Sequence, residues 1–544
     1  MSDYMNEGSL ELEVTDFGPI IQANIELRPF TVFVGPSNTG KSWMAVLSYA
    51  LHRYFSEAKR LEPLRPDQIW RALYTGGTNG PDQGRREARI SRKHEDVLSS
   101  APVDALLTWA KQELSDGTRM HDLFGNSQTP PDQKSFVIPE QITEPVQWIF
   151  NTQGGPLGHE IRRCFGVDGI DRLVRKSSRT GAQVAIRRHF SDDTQPLEHR
   201  LTIRSQKTIF ETMVPEGIGF PGDRYFELKE QFSELISHLS DITHGPDIDI
   251  NDPEIRSSCW PLISTIADFI KPYLFGPLNL RAFYLPADRT GVMHAHRVVV
   301  SALIEGATMA GVRPAARAPM LSGVLADFLE QLIEIDRPPY RHEESWNCHA
   351  AQIEKAILEG SVRVDWAATT GYPRFTYQPT GWKDELPLLN ASSMVSELAP
   401  VVLYLRHRIR PGNLLIVEEP ESHLHPGMQV EFIRQLAALV KSGVRVLITT
   451  HSEWVLEELA NIVRRSRLPS GERDKLEHGD CALRPDQVGA WLFKKKNRPK
   501  GSVVEEVKLD DETGLYPTDY DEVSESLYNE SVNIFNRIQD IEHG

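Results

Sequence analysis

Cysteine is scarce in this chain, and no two cysteines are paired by spacing. Cys164, Cys259, Cys348 and Cys481 are the four in 544 residues. None forms a C-x-x-C, so neither a zinc ribbon nor a disulfide framework is legible, and a reducing interior is the expected setting. Long apolar runs are missing as well: none approaches the roughly 20 residues that cross a bilayer. The opening Met-Ser-Asp-Tyr-Met-Asn-Glu has no basic and apolar leader. A soluble, cytoplasmic chain without a membrane partner is expected. Positive charge is in deficit, with 60 Lys plus Arg against 76 Asp plus Glu and a net charge of -16. Broad adhesion to nucleic acid or anionic lipid is therefore disfavoured, although local basic stretches can still bind either. Internal repeats and sustained heptads are absent, which excludes a solenoid and a long coiled-coil arm.

What is present is ordinary globular material, 40% apolar and 25% charged. The length, at roughly 150 residues per domain, allows three or four domains. Leu10, Leu12 and Val14 alternate, Gly18-Pro19 turns, and Ala23, Ile25 and Leu27 alternate again, predicting an antiparallel hairpin. A third apolar run, 30–34, ends in Gly35-Pro36-Ser37-Asn38-Thr39-Gly40-Lys41-Ser42, after which Met44, Leu47 and Leu51 recur at helical spacing. From about Phe55 to Tyr273 the texture changes to helical windows such as 226–239, separated by Gly/Pro/Asp-rich stretches. This reads as an insertion. Regular sheet-and-helix texture resumes near Leu278, with a helix over 324–335 and strands near 362–366 and 375–378.

Three motifs carry chemistry. The segment 35–42 fits G-x-x-x-x-G-K-[ST]. In such a loop, glycines let backbone N–H groups curl round phosphates, Lys41 reaches the β and γ oxygens and Ser42 binds Mg²⁺. Downstream, the apolar run 413–417 ends in Glu418-Glu419-Pro420-Glu421. Carboxylates at the end of a buried strand suit a hydrolytic nucleotide site, one holding Mg²⁺ through its water shell and the next orienting or deprotonating the attacking water. The competing reading, that Glu419 and Glu421 merely start a helix, weakens beside a phosphate loop. The run 444–448 then ends in Thr449-Thr450-His451-Ser452. A lone histidine is usually structural, but this one stands one strand beyond the acidic pair, and neighbouring parallel strands end on one edge, where ligands gather.

These motifs, in this order and preceded by a hairpin, resemble the ABC-type ATPase heads of the SMC, RecF and OLD (overcoming lysogenization defect) group over about residues 8–55 and 278–465. The likeness is strongest in LLIVEEPESHLHP, 414–426, and is most OLD-like, in the manner of phage-defence ATPases, in its double glutamate and ESHLHP continuation. It implies an α/β fold: a P-loop NTPase head with a mixed sheet flanked by helices, an antiparallel β-lobe and a large, mainly helical insertion. The implied organisation is a first part of the head at 1–55, the insertion at 56–275, the rest of the head at 276–480, and a hairpin with an acidic helix at 481–544.

The resemblance implies ATP and Mg²⁺ as ligands, with Gly35, Pro36, Ser37, Asn38, Thr39, Gly40, Lys41 and Ser42 round the phosphates. Glu418 joins Ser42 at the metal, Glu419 is the catalytic glutamate and His451 the switch histidine. Such heads pair head to tail, so Ser392 and Ser393, in Asn390-Ala391-Ser392-Ser393-Met394-Val395-Ser396-Glu397, would serve a second copy's nucleotide. The chain departs from the pattern where Met394 replaces a second glycine, where Glu418 replaces the commoner aspartate, and in having no assignable Q-loop glutamine. Arg289, in Tyr284-Leu285-Pro286-Ala287-Asp288-Arg289, is a candidate phosphate or interface residue, with a surface salt bridge as the alternative.

An OLD-type nuclease carries a C-terminal Toprim domain, but only 93 residues follow His451, without a strand-borne acid set. A nuclease would then be a partner chain. Asp510-Asp511-Glu512 reads as a solvated turn, and the E-x-K at 227–229 as accidental. Arg162, Arg163, Arg172, Arg175, Lys176, Arg179, Arg187 and Arg188 face only Asp168 and Asp171, a local +6, and a second basic run spans 494–500. Either could hold a nucleic-acid backbone or be a solvated face. The last 44 residues carry a local -10, and Leu527, Val532, Phe535 and Ile538 predict an amphipathic helix that packs on the head or on a partner.

Overall fold

The computed structural model describes residues 9–56, 135–137, 153–189, 196–214, 219–221, 270–294, 321–335, 347–365, 373–509 and 518–543, with isolated positions between them. The window 226–239, the E-x-K at 227–229 and the acids at 510–512 lie outside the described residues. The strands are β1 (Ser9–Phe17), β2 (Ile20–Leu27), β3 (Phe30–Val34), β4 (Ser135–Val137), β5 (Ala182–His189), β6 (Leu197–Arg204), β7 (Lys207–Thr212), β8 (Gly219–Pro221), β9 (Ala282–Leu285), β10 (Gly360–Asp365), β11 (Arg374–Pro379), β12 (Leu386–Pro387), β13 (Leu414–Glu418), β14 (Arg445–Thr450), β15 (Val488–Asn497) and β16 (Lys500–Glu506). The helices used below are α1 (Lys41–Ser56), α2 (Gly154–Phe165), α3 (Gly323–Ile333), α4 (Asn347–Ile353), α5 (Ser393–His407), α6 (Pro426–Lys441), α7 (Glu453–Ser466) and α8 (Thr518–His543).

The fold is α/β. Eleven strands make one mixed sheet in the order β7-β6-β5-β1-β2-β16-β15-β3-β14-β13-β9. The block β15-β3-β14-β13-β9 is parallel, and β7-β6-β5-β1-β2 is antiparallel. Parallel strands are buried on both faces, which is why β3 and β13 read as unbroken apolar runs. Successive side chains go to opposite layers: Phe33, Leu414 and Ile416 pack with Met44, Leu47 and Leu51 of α1, whereas Val32, Val34, Leu415 and Val417 pack with α5, α6 and α7. Each such fully buried side chain contributes about 1.5–3 kcal/mol.

The stretch between the two halves of the head does more than add helices. Among its described residues it supplies β5, β6 and β7, which continue the antiparallel sheet outward from β1. Val184, Ile186, Leu201 and Ile203 are buried at period two, a signal present in the sequence but interleaved with arginines. A buried ionic cluster ties α1, α2 and α3 together: Arg163 lies 2.7 Å from Glu160 and 2.6 Å from Asp327, and Asp327 also meets Arg53 at 3.0 Å and the Tyr49 hydroxyl at 2.9 Å. Glu160, Cys164 and Asp327 are close enough to share a cation, but the two guanidinium groups already neutralise the carboxylates. At the other end of the chain, α8 leaves Leu527, Tyr528, Ile534, Phe535 and Ile538 exposed, so its apolar side does not pack on the head.

Candidate nucleotide site

Strand register assembles the site. Val34 is level with Thr450, Thr449 with Glu418, and Leu285 with Val417, so β3, β14, β13 and β9 end together on one edge. The loops leaving those ends are the phosphate-loop motif, His451-Ser452, Glu419–Glu421 and Pro286–Arg289. Two of the following helices are capped at the same edge. The Ser452 hydroxyl accepts from the Val455 N–H at 3.4 Å, and Nδ1 of His425, the residue before Pro426, accepts from the Gly427 N–H at 3.3 Å.

The motif loop requires its glycines. Gly35 has φ +133°, and a Cβ there would sit 2.6 Å from the Phe493 carbonyl oxygen. Gly40 has φ +101°, and its Cβ would meet Ile20 at 2.9 Å. Thr39 donates to Pro36 O at 2.8 Å, and its own carbonyl accepts from the Ser502 hydroxyl at 2.5 Å. Lys41 Nζ bonds Gly35 O at 2.8 Å and Pro36 O at 2.9 Å, closing the lysine over its own loop. Burial lowers its pKa to about 8, with Glu419, Glu421 and Glu418 pulling the other way. The free lysine therefore carries its proton below about pH 8, and an anionic ligand favours that charged form. ATP affinity is expected to fall as pH rises through about 8, measured by equilibrium dialysis from about pH 7 to about pH 9.5. A flat profile would remove Lys41 from the phosphate.

Glu418 is 9% exposed and accepts from the Ala287 N–H at 3.3 Å. Burial raises its pKa, and the facing Ser42 and Tyr284 hydroxyls, together with Ala287, offset part of that. Glu419 adopts the left-handed φ of 44°. Its N–H is bonded to Thr449 O at 2.9 Å, and its carboxylate, half open to solvent, lies 3.8 Å from His451 Nε2. Burial lowers the His451 pKa, and Lys41 lowers it further against the pull of Glu419, so the ring is neutral at physiological pH. Glu421 does not belong to a helix start. Its Oε1 accepts from Thr450 Oγ1 at 2.8 Å and from the His451 N–H at 2.6 Å, fixing the loop that carries the histidine. The sequence offered Glu421 only as one more acid.

One expectation is corrected. Arg289 is neither a surface ion pair nor open to a phosphate: it is fully buried, paired with Glu397 at 2.5 Å, and donates to Glu418 O at 2.6 Å. Met394, at the start of α5, is half-buried and packs against the core. Ser392 and Ser393 are exposed there, and the Ser392 hydroxyl caps α5 by accepting from the Val395 N–H at 3.3 Å.

The residues present fit ATP with Mg²⁺. Ser42 is exposed and faces the buried Glu418, an all-oxygen pair of the kind Mg²⁺ takes. Pro36, Ser37 and Asn38 lie along the open side of a loop whose close contacts exclude a Cβ at Gly35 and Gly40.

The +6 run divides. Arg163 belongs to the buried cluster, Arg187 pairs with Glu13 at 2.5 Å and Glu198 at 2.8 Å, and Arg188 is 1% exposed and donates to the Pro272 carbonyl at 3.0 Å. None of the three is available to a nucleic-acid backbone. The loop 172–179, in contrast, is pinned to the β1–β2 turn by Arg175 N–H to Asp16 O at 3.0 Å and Gly18 N–H to Leu173 O at 2.7 Å. From there the Arg175 guanidinium reaches Lys500 O at 2.5 Å. Lys176 and Arg179 on this loop, and Lys494, Lys495, Lys496, Arg498 and Lys500 on the β15–β16 tip that it touches, are exposed; of these Lys495 faces Lys41, and alternation along the strand turns Lys494 and Lys496 to the other side.

The α/β sheet and this site define an ATPase-type nucleotide-binding domain. Residues 326–456 match the family model described as AAA ATPase domain, a span holding Ser392, Glu418, Glu419 and His451 but not Lys41. No curated protein matches the chain. Similar solved structures include the Smc head bound to the C-winged-helix domain of ScpA (10% identity, 92% of this chain and 98% of that one, TM-score 0.37). Others are an SMC head domain from Thermotoga maritima (9%, 92% and 99%, TM-score 0.32) and an Smc head with an extended coiled coil bound to the C-terminal domain of ScpA, derived from Pyrococcus furiosus (9%, 96% and 99%, TM-score 0.33). Scores this low carry no argument; the assignment rests on strand order, register and loop geometry. Among the described residues no helix is long and apolar enough to cross a membrane.

Proposed function

We propose that the chain binds Mg-ATP in the loop 35–42 and hydrolyses the β–γ phosphoanhydride. Its heads would pair head to tail around the nucleotide, and this cycle would regulate an effector, a nuclease in trans, in cytoplasmic anti-phage defence. The observation that carries the reading is the meeting of Lys41, Glu418, Glu419 and His451 on one sheet edge. In the proposed reaction Glu419 orients water and takes its proton as the water oxygen bonds the γ phosphorus. The bond to the leaving ADP oxygen breaks, and Lys41 stabilises the charge that collects there. Ser42 and Glu418 would hold Mg²⁺, which would supply neutralisation of phosphate charge. Neutral His451, held by Glu421, donates toward the γ-phosphate, and Ser392 and Ser393 of a second copy complete the site.

The defence assignment is supported by the likeness of the segment 414–426 to OLD-type ATPases, and the effector by the uncovered apolar side of α8. Light scattering of the full chain with and without Mg-ATP tests the pairing. An ATP-dependent doubling of mass is expected, and a mass indifferent to nucleotide would reject it.

The exposed basic residues of the loop 172–179 and of the β15–β16 tip that it touches favour a second reading, a DNA-binding repair ATPase. Neutralising Lys176, Arg179, Lys496 and Arg498 together should then reduce the salt dependence of duplex-DNA binding by about three to four counterions. An unchanged slope, or no DNA affinity in the parent protein, removes this reading.

A further inference from the structure

We propose that Arg289 and Glu397 form a positioning clamp that couples the loop bearing Glu418 and Glu419 to the exposed start of α5. The proposal rests on the ATPase reading above and gives a role to two buried residues that do not touch the nucleotide, Arg289 and the last residue of the segment 390–397.

Arg289 spends its donors on three segments. Nε donates to Glu397 O at 3.2 Å, Nη1 to Pro286 O at 3.0 Å and to Glu418 O at 2.6 Å, and Nη2 to Glu419 O at 3.2 Å. Nη2 also pairs with Glu397 Oε1 at 2.5 Å, both side chains being fully buried. The second oxygen of Glu397 accepts from the Thr290 hydroxyl, and His294 Nε2 lies 3.0 Å from the Ser396 hydroxyl, so the same turn grips α5 twice. A planar five-donor group suits this task where lysine does not.

The geometry explains why more than packing is at stake. A glutamate at φ 44° is in a conformation that L side chains rarely adopt, and it persists only where its surroundings hold it. For Glu419 the holders are Thr449 O on its N–H and, on its carbonyl, the Ser422 N–H at 3.1 Å within the loop and Arg289 at 3.2 Å from outside it. Arg289 thereby ties the peptide that aims the Glu419 carboxylate toward His451 to α5. Glu397, which holds Arg289, lies one turn inside α5 from Ser392 and Ser393. Contact by a second copy at those serines moves the helix that anchors the guanidinium, and Glu419 responds.

The test uses the full chain with Glu397→Gln, Arg289→Lys and the double replacement Arg289→Met with Glu397→Met. The double variant removes both buried charges together, which proteins tolerate far better than losing one. Thermal melting, ATP affinity, kcat and amide hydrogen exchange over 393–398 with and without Mg-ATP are measured on each. The clamp predicts ATP affinity within about twofold of the parent and a kcat lowered about 100-fold, the scale of a 1 Å misplacement. It also predicts loss of the nucleotide-induced change in exchange, even in a double variant that melts as the parent does. Arg289→Lys should be as impaired as Glu397→Gln.

A double variant that is folded and has parental kcat and exchange would overturn the clamp while leaving the ATPase reading intact. If the parent lacks turnover yet shows the exchange change, and Glu397→Gln abolishes it, the ATPase reading fails and the clamp stands. A parent whose 393–398 exchange ignores nucleotide also overturns the clamp.

Discussion

Glu419→Gln is expected to lower the ATPase kcat of the full chain by about a hundred- to ten-thousandfold, the span contributed by a positioned general base. The substitution is nearly isosteric, the backbone is held by Thr449, Ser422 and Arg289, and the carboxylate makes only a long contact to the Ser422 hydroxyl at 3.4 Å and one to His451 at 3.8 Å. The carboxylate is half exposed and no buried ion pair depends on it, so melting should stay within a few degrees of the parent. ATP affinity should also be retained, because the proposed phosphate contacts are those of Lys41 and the loop. ATP-dependent association should survive and last longer, since the step that ends it is slowed. The measurements are steady-state phosphate release and light scattering on one preparation. Parental turnover in a folded Glu419→Gln protein would overturn the catalytic assignment.

The second large effect is expected from Lys41→Met. A charge-assisted hydrogen bond contributes about 1.5–3 kcal/mol, so losing the ammonium should raise the ATP Kd about 10- to 100-fold and take hydrolysis below detection. Stability should behave differently. Lys41 is 6% exposed and burial already disfavours its charge, so a methionine of similar length removes that cost together with two bonds to loop carbonyls. Melting at or near the parental temperature is expected. The decline in affinity above about pH 8 should vanish in this variant, because the group that titrates is gone. A Lys41→Met protein with parental affinity, or with the alkaline decline intact, would place the phosphates elsewhere.

Legibility varied with how local the physics is. The phosphate-loop motif was readable because Gly35 and Gly40 must occupy positive φ and Lys41 must follow at fixed spacing. The motifs at Glu418 and His451 were readable because parallel strands buried on both faces leave unmistakable apolar runs, and such strands end together. The hairpin β1–β2 followed from alternation.

Arg289 was not readable, since its charge and neighbours suit a surface ion pair equally well; only the approach of Glu397, more than 100 residues away, buries it. The basic run 162–188 looked like one surface, yet alternation along β5 and the packing of α2 turn Arg163, Arg187 and Arg188 toward carboxylates and carbonyls. The loop 172–179 finds its neighbours at 494–500 instead.

The sequence by itself determined the chemistry on offer: a phosphate loop, paired carboxylates and a histidine, each at the end of an apolar strand. These depend on bonds and torsions within a few residues, which composition and spacing record. Only the tertiary structure decided which charges face water, which are held inside, and that Arg289 joins the Glu418–Glu419 loop to α5. Those outcomes depend on desolvation and on partners brought together by sheet register across hundreds of residues, and no local pattern encodes either.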